Sequence, residues 1–214
     1  GFSSGTFSDP NADGKVDRLT VVITNAPLTS CDVSNTELAS DWTYNGDSIG
    51  GSIASASCNT SNGTITFVLD TSSDHVTSGA PTLAYNDTDG DHSIANASGN
   101  LGTVGAFTLT DNAAPALQEG TPVPTSTNDN TPNYSFFSTE AGTITYLGGC
   151  TSASTSASPS APNTITFATL ADGTYSSCTL RVTDGSGNQS VLLAVTTFTV
   201  DTAAPNVSGF SGVI

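Results

Sequence analysis

The stretch Asp111-Asn-Ala-Ala-Pro115 returns almost unchanged as Asp201-Thr-Ala-Ala-Pro205, ninety residues further on. Each copy comes after an alternating run, Ala106-Phe-Thr-Leu-Thr110 before the first and Thr197-Phe-Thr-Val200 before the second. A proline has no N–H to give to a sheet ladder, and it biases the residue before it towards extended backbone. The pattern therefore reads as the last strand of a domain running into a short, stiff linker. Ninety residues is about the length of a small β-sandwich, so the chain reads as two such domains in tandem.

The ends carry the same suggestion. Gly1-Phe2-Ser3 opens the chain, and Gly209-Phe210-Ser211 stands just past the second seam. Self-similarity at a fixed period marks arrays of stacked units. On this reading the domains are 1–114 and 115–205, and 206–214 is the start of a further repeat or a strand donated to a neighbour. The sequence has no methionine, signal peptide or long apolar run, and so reads as a processed or excised piece.

Composition excludes several partners. The formal charge is −16, from 19 acidic side chains against three basic ones, Lys15, Arg18 and Arg181. Phosphate backbones and anionic membranes are bound by clusters of Lys and Arg, so neither nucleic acid nor direct membrane contact is expected. Only 10% of residues are charged, which leaves a surface of Ser, Thr, Asn and Gly, as in secreted β proteins.

The four cysteines fall two to a domain, Cys31 with Cys58 and Cys150 with Cys178, at spacings of 27 and 28. No C-x-x-C and no neighbouring histidine points to zinc. One disulfide per domain is the simple reading, and it implies an oxidising, extracellular location.

Asp9-Pro-Asn11-Ala-Asp13-Gly14-Lys15-Val-Asp17 is the sharpest motif. Oxygen side chains stand at its positions one, three, five and nine, a glycine at six, and the Lys15 carbonyl would serve at seven. Calcium takes six to eight oxygens, and this spacing can wrap them around one point. Position twelve is Thr20 rather than a bidentate Glu, and the next element is the strand Leu19-Thr-Val-Val-Ile23 rather than a helix. The expectation is a calcium loop at a sandwich end; the alternative is a solvated turn rich in Asx residues. Asn86-Asp87-Thr-Asp89-Gly90-Asp91-His92 offers a second, poorer set of oxygens in Asp87, Asp89 and Asp91. Asp70 and Asp74 read as turn residues.

Elsewhere the period is two. Leu19, Val21 and Ile23 share a face, as do Ile65, Phe67 and Leu69; Pro81–Tyr85 and Phe107/Leu109 add strands. The second half gives strands at Tyr134–Phe136, Thr143–Tyr146, Thr164–Phe167, Cys178–Val182 and Val191–Val200, parted by turn clusters. Cys178, Leu180 and Val182 share a face, which puts the sulfur on the core side. Tyr175 has the opposite parity, so a bulge near Ser176-Ser177 is needed to turn it inward. Trp42, the sole tryptophan, is expected in the core. With no helical stripe of useful length, the class is all-β.

Four stretches together resemble the bacterial Ig-like repeats of large cell-surface adhesins: Thr127-Asn-Asp-Asn-Thr-Pro132, Leu170-Ala-Asp-Gly-Thr-Tyr175, Val182-Thr-Asp-Gly-Ser-Gly-Asn188 and Phe198-Thr-Val-Asp-Thr-Ala-Ala-Pro205. The likeness covers 120–205; residues 6–115 resemble Ig-like modules of surface-layer and adhesin proteins more loosely. It implies two Ig-like β-sandwiches in tandem. It also implies calcium held at domain junctions by loop and linker aspartates, here Asp111, Asp129, Asp184 and Asp201. A divalent ion between acidic linkers would offset repulsion in so acidic a chain. Turn-capping is the alternative role for the same four residues.

Nothing in the sequence assembles a reaction centre, and no enzyme is expected. His75 and His92 stand in polar loops without a nucleophile motif such as G-x-S-x-G, and Glu37, Glu119 and Glu140 do not pair as a glycosidase acid and base. Asn-x-Ser/Thr occurs at Asn59, Asn62, Asn86, Asn96, Asn133, Asn188 and Asn206, as chance allows in so Ser/Thr/Asn-rich a chain. The functional expectation is a repeat unit of an extracellular stalk or filament, joined head to tail to copies of itself, with a cell-surface or glycan ligand as a further partner. Two rivals stand beside it. One is a separately encoded filament subunit completed by a neighbour's terminal strand, 206–214 or 1–7. The other is a carbohydrate-binding module using Trp42 and the tyrosines.

Overall fold

A computed structural model of the chain describes residues 1–24, 26–34, 38, 40–45, 47–48, 53–70, 81–87, 93–159 and 161–206. It is built of strands, with one helical turn carrying Leu38, Ser40 and Asp41. Among the described residues no helix is long and apolar enough to cross a membrane. The chain divides into two compact units, Gly1–Ala116 with Ser186–Asn188, and Leu117–Gly185 with Gln189–Ile214.

In the first unit the strands are β1 (Phe2–Ser8), β2 (Arg18–Ile23), β3 (Leu28–Cys31), β4 (Trp42–Tyr44), β5 (Asp47–Ser48) and β6 (Ile53–Asn59). They continue with β7 (Thr64–Leu69), β8 (Thr82–Tyr85), β9 (Ile94–Asn96), β10 (Gly99–Asn100), β11 (Val104–Thr108) and β12 (Thr110–Asp111). One sheet has the order β12-β1-β2-β7-β6; β11-β8-β4-β5 and β10-β9-β3 form two more. The expected faces are the buried ones: Leu19, Val21, Ile23, Ile65, Phe67 and Leu69 are all at most 4% exposed. Trp42 closes this core, fully buried, with its ring 5.7 Å from Phe2, 4.9 Å from Phe67 and 5.0 Å from Tyr85. A tryptophan so enclosed cannot stack on a glycan, which takes Trp42 out of the carbohydrate-binding reading.

β1 is a strand that the sequence hides, because Phe2-Ser-Ser-Gly-Thr-Phe-Ser8 carries few apolar side chains. Gly5 explains how it fits. A Cβ there would stand 2.7 Å from Leu109 Cδ2 and 3.0 Å from Phe107 Cε1, so the absence of a side chain lets two layers close on the strand. β1 is paired on both edges within its own unit, antiparallel to β2 and parallel to β12. The seam past β12 is not a bare linker: Ala113 is buried in the first core.

The second unit holds β13 (Leu117–Glu119), β14 (Ser126–Thr127), β15 (Asn133–Ser138), β16 (Gly142–Leu147) and β17 (Ser156–Ala157). It also holds β18 (Asn163–Thr166), β19 (Gly173–Tyr175), β20 (Thr179–Thr183), β21 (Leu193–Ala194) and β22 (Phe198–Val200). Its sheets run β13-β15-β18, β14-β22-β19 and β17-β16-β20-β21. Its core includes Tyr134, Phe136, Ile165, Phe167, Leu180, Val182, Phe198 and Val200. The expected strand Val191–Val200 is broken into β21 and β22, and Val191 and Leu192 before them are exposed.

Disulfides join Cys31 to Cys58 and Cys150 to Cys178. The first ties β3 to β6, strands of different sheets, with Cα atoms 6.4 Å apart. The second lies beside the β16–β20 ladder, and its Cys178 is buried on the core side. In place of a bulge at Ser176-Ser177 the chain leaves the ladder between β19 and β20. Tyr175 thereby comes to stack on Phe198, centroids 5.2 Å apart.

Candidate functional site in the loop from Asp9 to Asp17

The loop that joins β1 to β2 is held at its base by β1 and β7. Asp17 N–H donates to the Ser8 carbonyl at 3.0 Å, Leu69 N–H to the Asp17 carbonyl at 2.8 Å, and Val16 is buried in the core. Two residues take positive φ, Ala12 at 58° and Gly14 at 86°, which fold the loop back on itself. Asp9, Asp13 and Asp17 each offer a carboxylate oxygen, and these oxygens lie within 4.8 Å of one another.

Backbone N–H groups order this cluster. The Asp9 carboxylate accepts from Gly14 at 2.7 Å and from Asp13 at 3.2 Å. Asn11 Oδ1 accepts from Asp13 N–H at 2.9 Å, Asp13 Oδ1 from Lys15 N–H at 2.9 Å, and Asp17 Oδ2 from Asn11 N–H at 3.4 Å. Asp9 is only 8% exposed, and burial pushes its carboxyl above the ordinary carboxylate value. The N–H groups of Gly14, Asp13 and Ala12 pull it back, and the Asp13 charge pushes it up again. A set of oxygen donors around one point suits a hard cation such as Ca²⁺ in chemistry and in number of carboxylates. Thr20, on β2, leaves the twelfth position without a carboxylate.

The other expected ligands belong to both units. Asp87 is half-buried, while Asp89 and Asp91 lie outside the described residues, as do Asp74, His75 and His92. Asp111 Oδ1 accepts from Ala113 N–H at 2.9 Å and Asp201 Oδ1 from Ala203 N–H at 3.0 Å, so the two seams share one local turn. Asp129 Oδ1 accepts from the N–H and hydroxyl of Thr131, at 2.8 and 3.0 Å. Asp184 is half-buried just past β20.

Two acidic residues have fastening roles that the sequence does not announce. Asp172, just before β19, accepts from the N–H and hydroxyl of Thr202 at 3.0 and 2.8 Å, which hold its carboxyl below the usual range. Glu119, on β13, accepts from the N–H and hydroxyl of Thr196 at 2.8 and 2.6 Å. Each ties the start or middle of the second unit to its last segment, across 30 and 77 residues of sequence. No pattern signal marks such pairs, because the spacing is set by topology rather than by period.

No family model and no curated protein matches the chain. Among solved structures it is similar to fibronectin(III)-like modules of Clostridium thermocellum CbhA, at 11% identity over 94% of this chain and 93% of that one, with a TM-score of 0.32. The all-β fold therefore rests on the strand ladders and the two separate cores themselves.

Proposed function

We propose that this chain is a non-catalytic structural segment of an extracellular protein, two Ig-like modules of an adhesin stalk or surface filament. The observation that carries the proposal is that each unit is complete in itself, with its own buried core and its own disulfide. Disulfides persist outside reducing compartments, which supports the extracellular setting. The role is to hold a position under load, joined to like modules at either end, and the acidic surface keeps such modules apart and soluble. Within this reading the Asp9–Asp17 loop takes Ca²⁺ and pins the β1–β2 connection.

The test is calorimetry and sedimentation of the full chain under non-reducing conditions. A stalk segment stays monomeric and unfolds in two transitions, one of which rises in millimolar calcium. Self-association into polymers at high concentration would instead favour the filament subunit completed by strand addition. A rise in either transition on adding glycans would favour the carbohydrate-binding reading.

A further inference from the structure

The seven Asn-x-Ser/Thr triplets of the sequence are not alike in the structure. An asparagine in a folded chain takes a sugar where its amide and the hydroxyl two residues on are both within reach of a transferase. The fold withholds that hydroxyl from two of the triplets. For Asn133 it is Ser135, 7% exposed on β15, whose Oγ accepts from Thr121 N–H at 2.7 Å. For Asn188 it is Ser190, also 7% exposed, whose Oγ accepts from Val182 N–H at 3.0 Å and donates to the Val191 carbonyl at 2.8 Å. Asn96, at the end of β9, is itself half-buried. The triplets that start at Asn86 and Asn206 run beyond the described residues.

The hairpin between β6 and β7 is different. It is made of two consecutive triplets, Asn59-Thr60-Ser61 and Asn62-Gly63-Thr64. The backbone of its turn is bonded inward. Gly63 N–H donates to the Asn59 carbonyl at 2.9 Å, Ile23 N–H to the Gly63 carbonyl at 2.8 Å and Leu28 N–H to the Thr60 carbonyl at 2.7 Å. Gly63 takes a φ of 68°, and a Cβ there would stand 3.0 Å from the Ile23 carbonyl oxygen, so a glycine lets the turn seat this closely. The side chains are left to solvent: Asn59, Thr60, Ser61 and Asn62 are exposed, and Thr64 is half-buried. In both triplets the asparagine Oδ1 accepts from the N–H of the hydroxyl residue, Ser61 and Thr64, each at 3.1 Å. That bond holds amide and hydroxyl on one short arc, and it engages the oxygen of the amide rather than the nitrogen that reacts.

We propose that this hairpin is an acceptor for N-linked glycan, with Asn59 and Asn62 as the accepting residues and an oligosaccharide carried on a lipid pyrophosphate as the donor. In the transfer the asparagine Nδ2 bonds to the anomeric carbon as the bond from that carbon to the pyrophosphate oxygen breaks. The lipid pyrophosphate leaves with the electron pair, and Nδ2 gives up one proton to a base of the transferase. The place of the sugar has a structural consequence. β6 is the last strand of its sheet, and Ile53-Ala-Ser-Ala-Ser-Cys-Asn59 has no charge or proline to discourage a strand of another chain from pairing with it. A hydrated sugar at the end of β6 supplies that protection. The proposal rests on the extracellular setting given under Proposed function and adds a modification to the first unit.

The experiment incubates the folded, disulfide-bonded chain with lipid-linked oligosaccharide and a single-subunit transferase that requires only Asn-x-Ser/Thr, then locates the sugar by peptide mass spectrometry. The reduced and alkylated chain is treated alongside it. The folded chain is expected to carry sugar on Asn59, Asn62 or both, and none on Asn133 and Asn188; the reduced chain should gain it on those two as well. Asn59→Gln with Asn62→Gln should abolish the addition at the hairpin. Ser61→Ala with Thr64→Val should abolish it with both asparagines still in place. A folded chain without sugar on the hairpin would overturn the proposal, as would one with as much on Asn133 and Asn188 as on Asn59 and Asn62, or hairpin sugar that survives Ser61→Ala with Thr64→Val. Each of these results leaves the stalk reading standing, because the unfolding transitions and sedimentation of the unmodified chain decide that reading.

Discussion

The Tyr175 hydroxyl donates to the Ala171 carbonyl at 2.9 Å, four residues upstream, while its ring stacks on Phe198 with the planes 14° apart. This is a tyrosine corner, in which one side chain fixes both the turn before a strand and the packing against the last strand. Tyr175→Phe keeps the stacking and removes the hydrogen bond. The expected loss is about 1 kcal/mol, confined to the second unit. Denaturant unfolding monitored by near-ultraviolet circular dichroism would measure it, and an unchanged midpoint would show that the hydroxyl contributes nothing.

The disulfides should act on their own units alone. Closing a loop of this size stabilises a domain by about 3–4 kcal/mol in the chain-entropy model. Cys31→Ala with Cys58→Ala is expected to lower one calorimetric transition by an amount on the order of 15 °C and to leave the other in place. Cys150→Ala with Cys178→Ala should do the reverse. If either pair shifted both transitions alike, the two cores would not be independent.

The elements legible in the sequence are those in which period and hydrophobicity agree. Leu19, Val21 and Ile23, or Ile65, Phe67 and Leu69, alternate so cleanly that face and burial are plain at once. β6 is not legible, since Ile53-Ala-Ser-Ala-Ser-Cys-Asn59 is an edge strand of small, largely exposed residues, and small side chains carry little strand signal. β1 hides for another reason: its glycine, which reads as a breaker, is required by the close approach of Leu109 and Phe107. At the candidate site the spacing of oxygens points to the Asp9–Asp17 loop, because local turns place near neighbours together. The partnerships of Asp172 and Glu119 are invisible in the sequence, because each depends on how distant strands are wound together.

Calcium offers a prediction whose sign changes with the ion. Asp13→Asn keeps an oxygen able to accept from Lys15 N–H but removes one of three converging negative charges. In a chelator the variant should be as stable as the parent or slightly more so, since like charges no longer crowd. In calcium the parent should gain roughly 2–3 kcal/mol at a hundredfold excess over the dissociation constant, and the variant much less. Isothermal calorimetry with Ca²⁺ alone, run beside heat unfolding, checks both halves. Equal calcium responses in the two proteins would discard the loop as a binding site.

Alkali should loosen the first unit through Tyr44. Burial pushes the Tyr44 phenol up to about 12, and Tyr134 in the second unit is raised further by burial and by the Glu119 carboxylate. The folded state therefore keeps a phenolic proton that the unfolded chain gives up near pH 10. A group raised in this way contributes stability that is fully present below the unfolded value and lost as pH climbs towards the folded one. Urea midpoints of the first unit should consequently fall between about pH 10 and 12, and Tyr44→Phe should flatten that fall while leaving the second unit's unchanged. A Tyr44→Phe profile parallel to the parent's would show that another group governs alkaline unfolding.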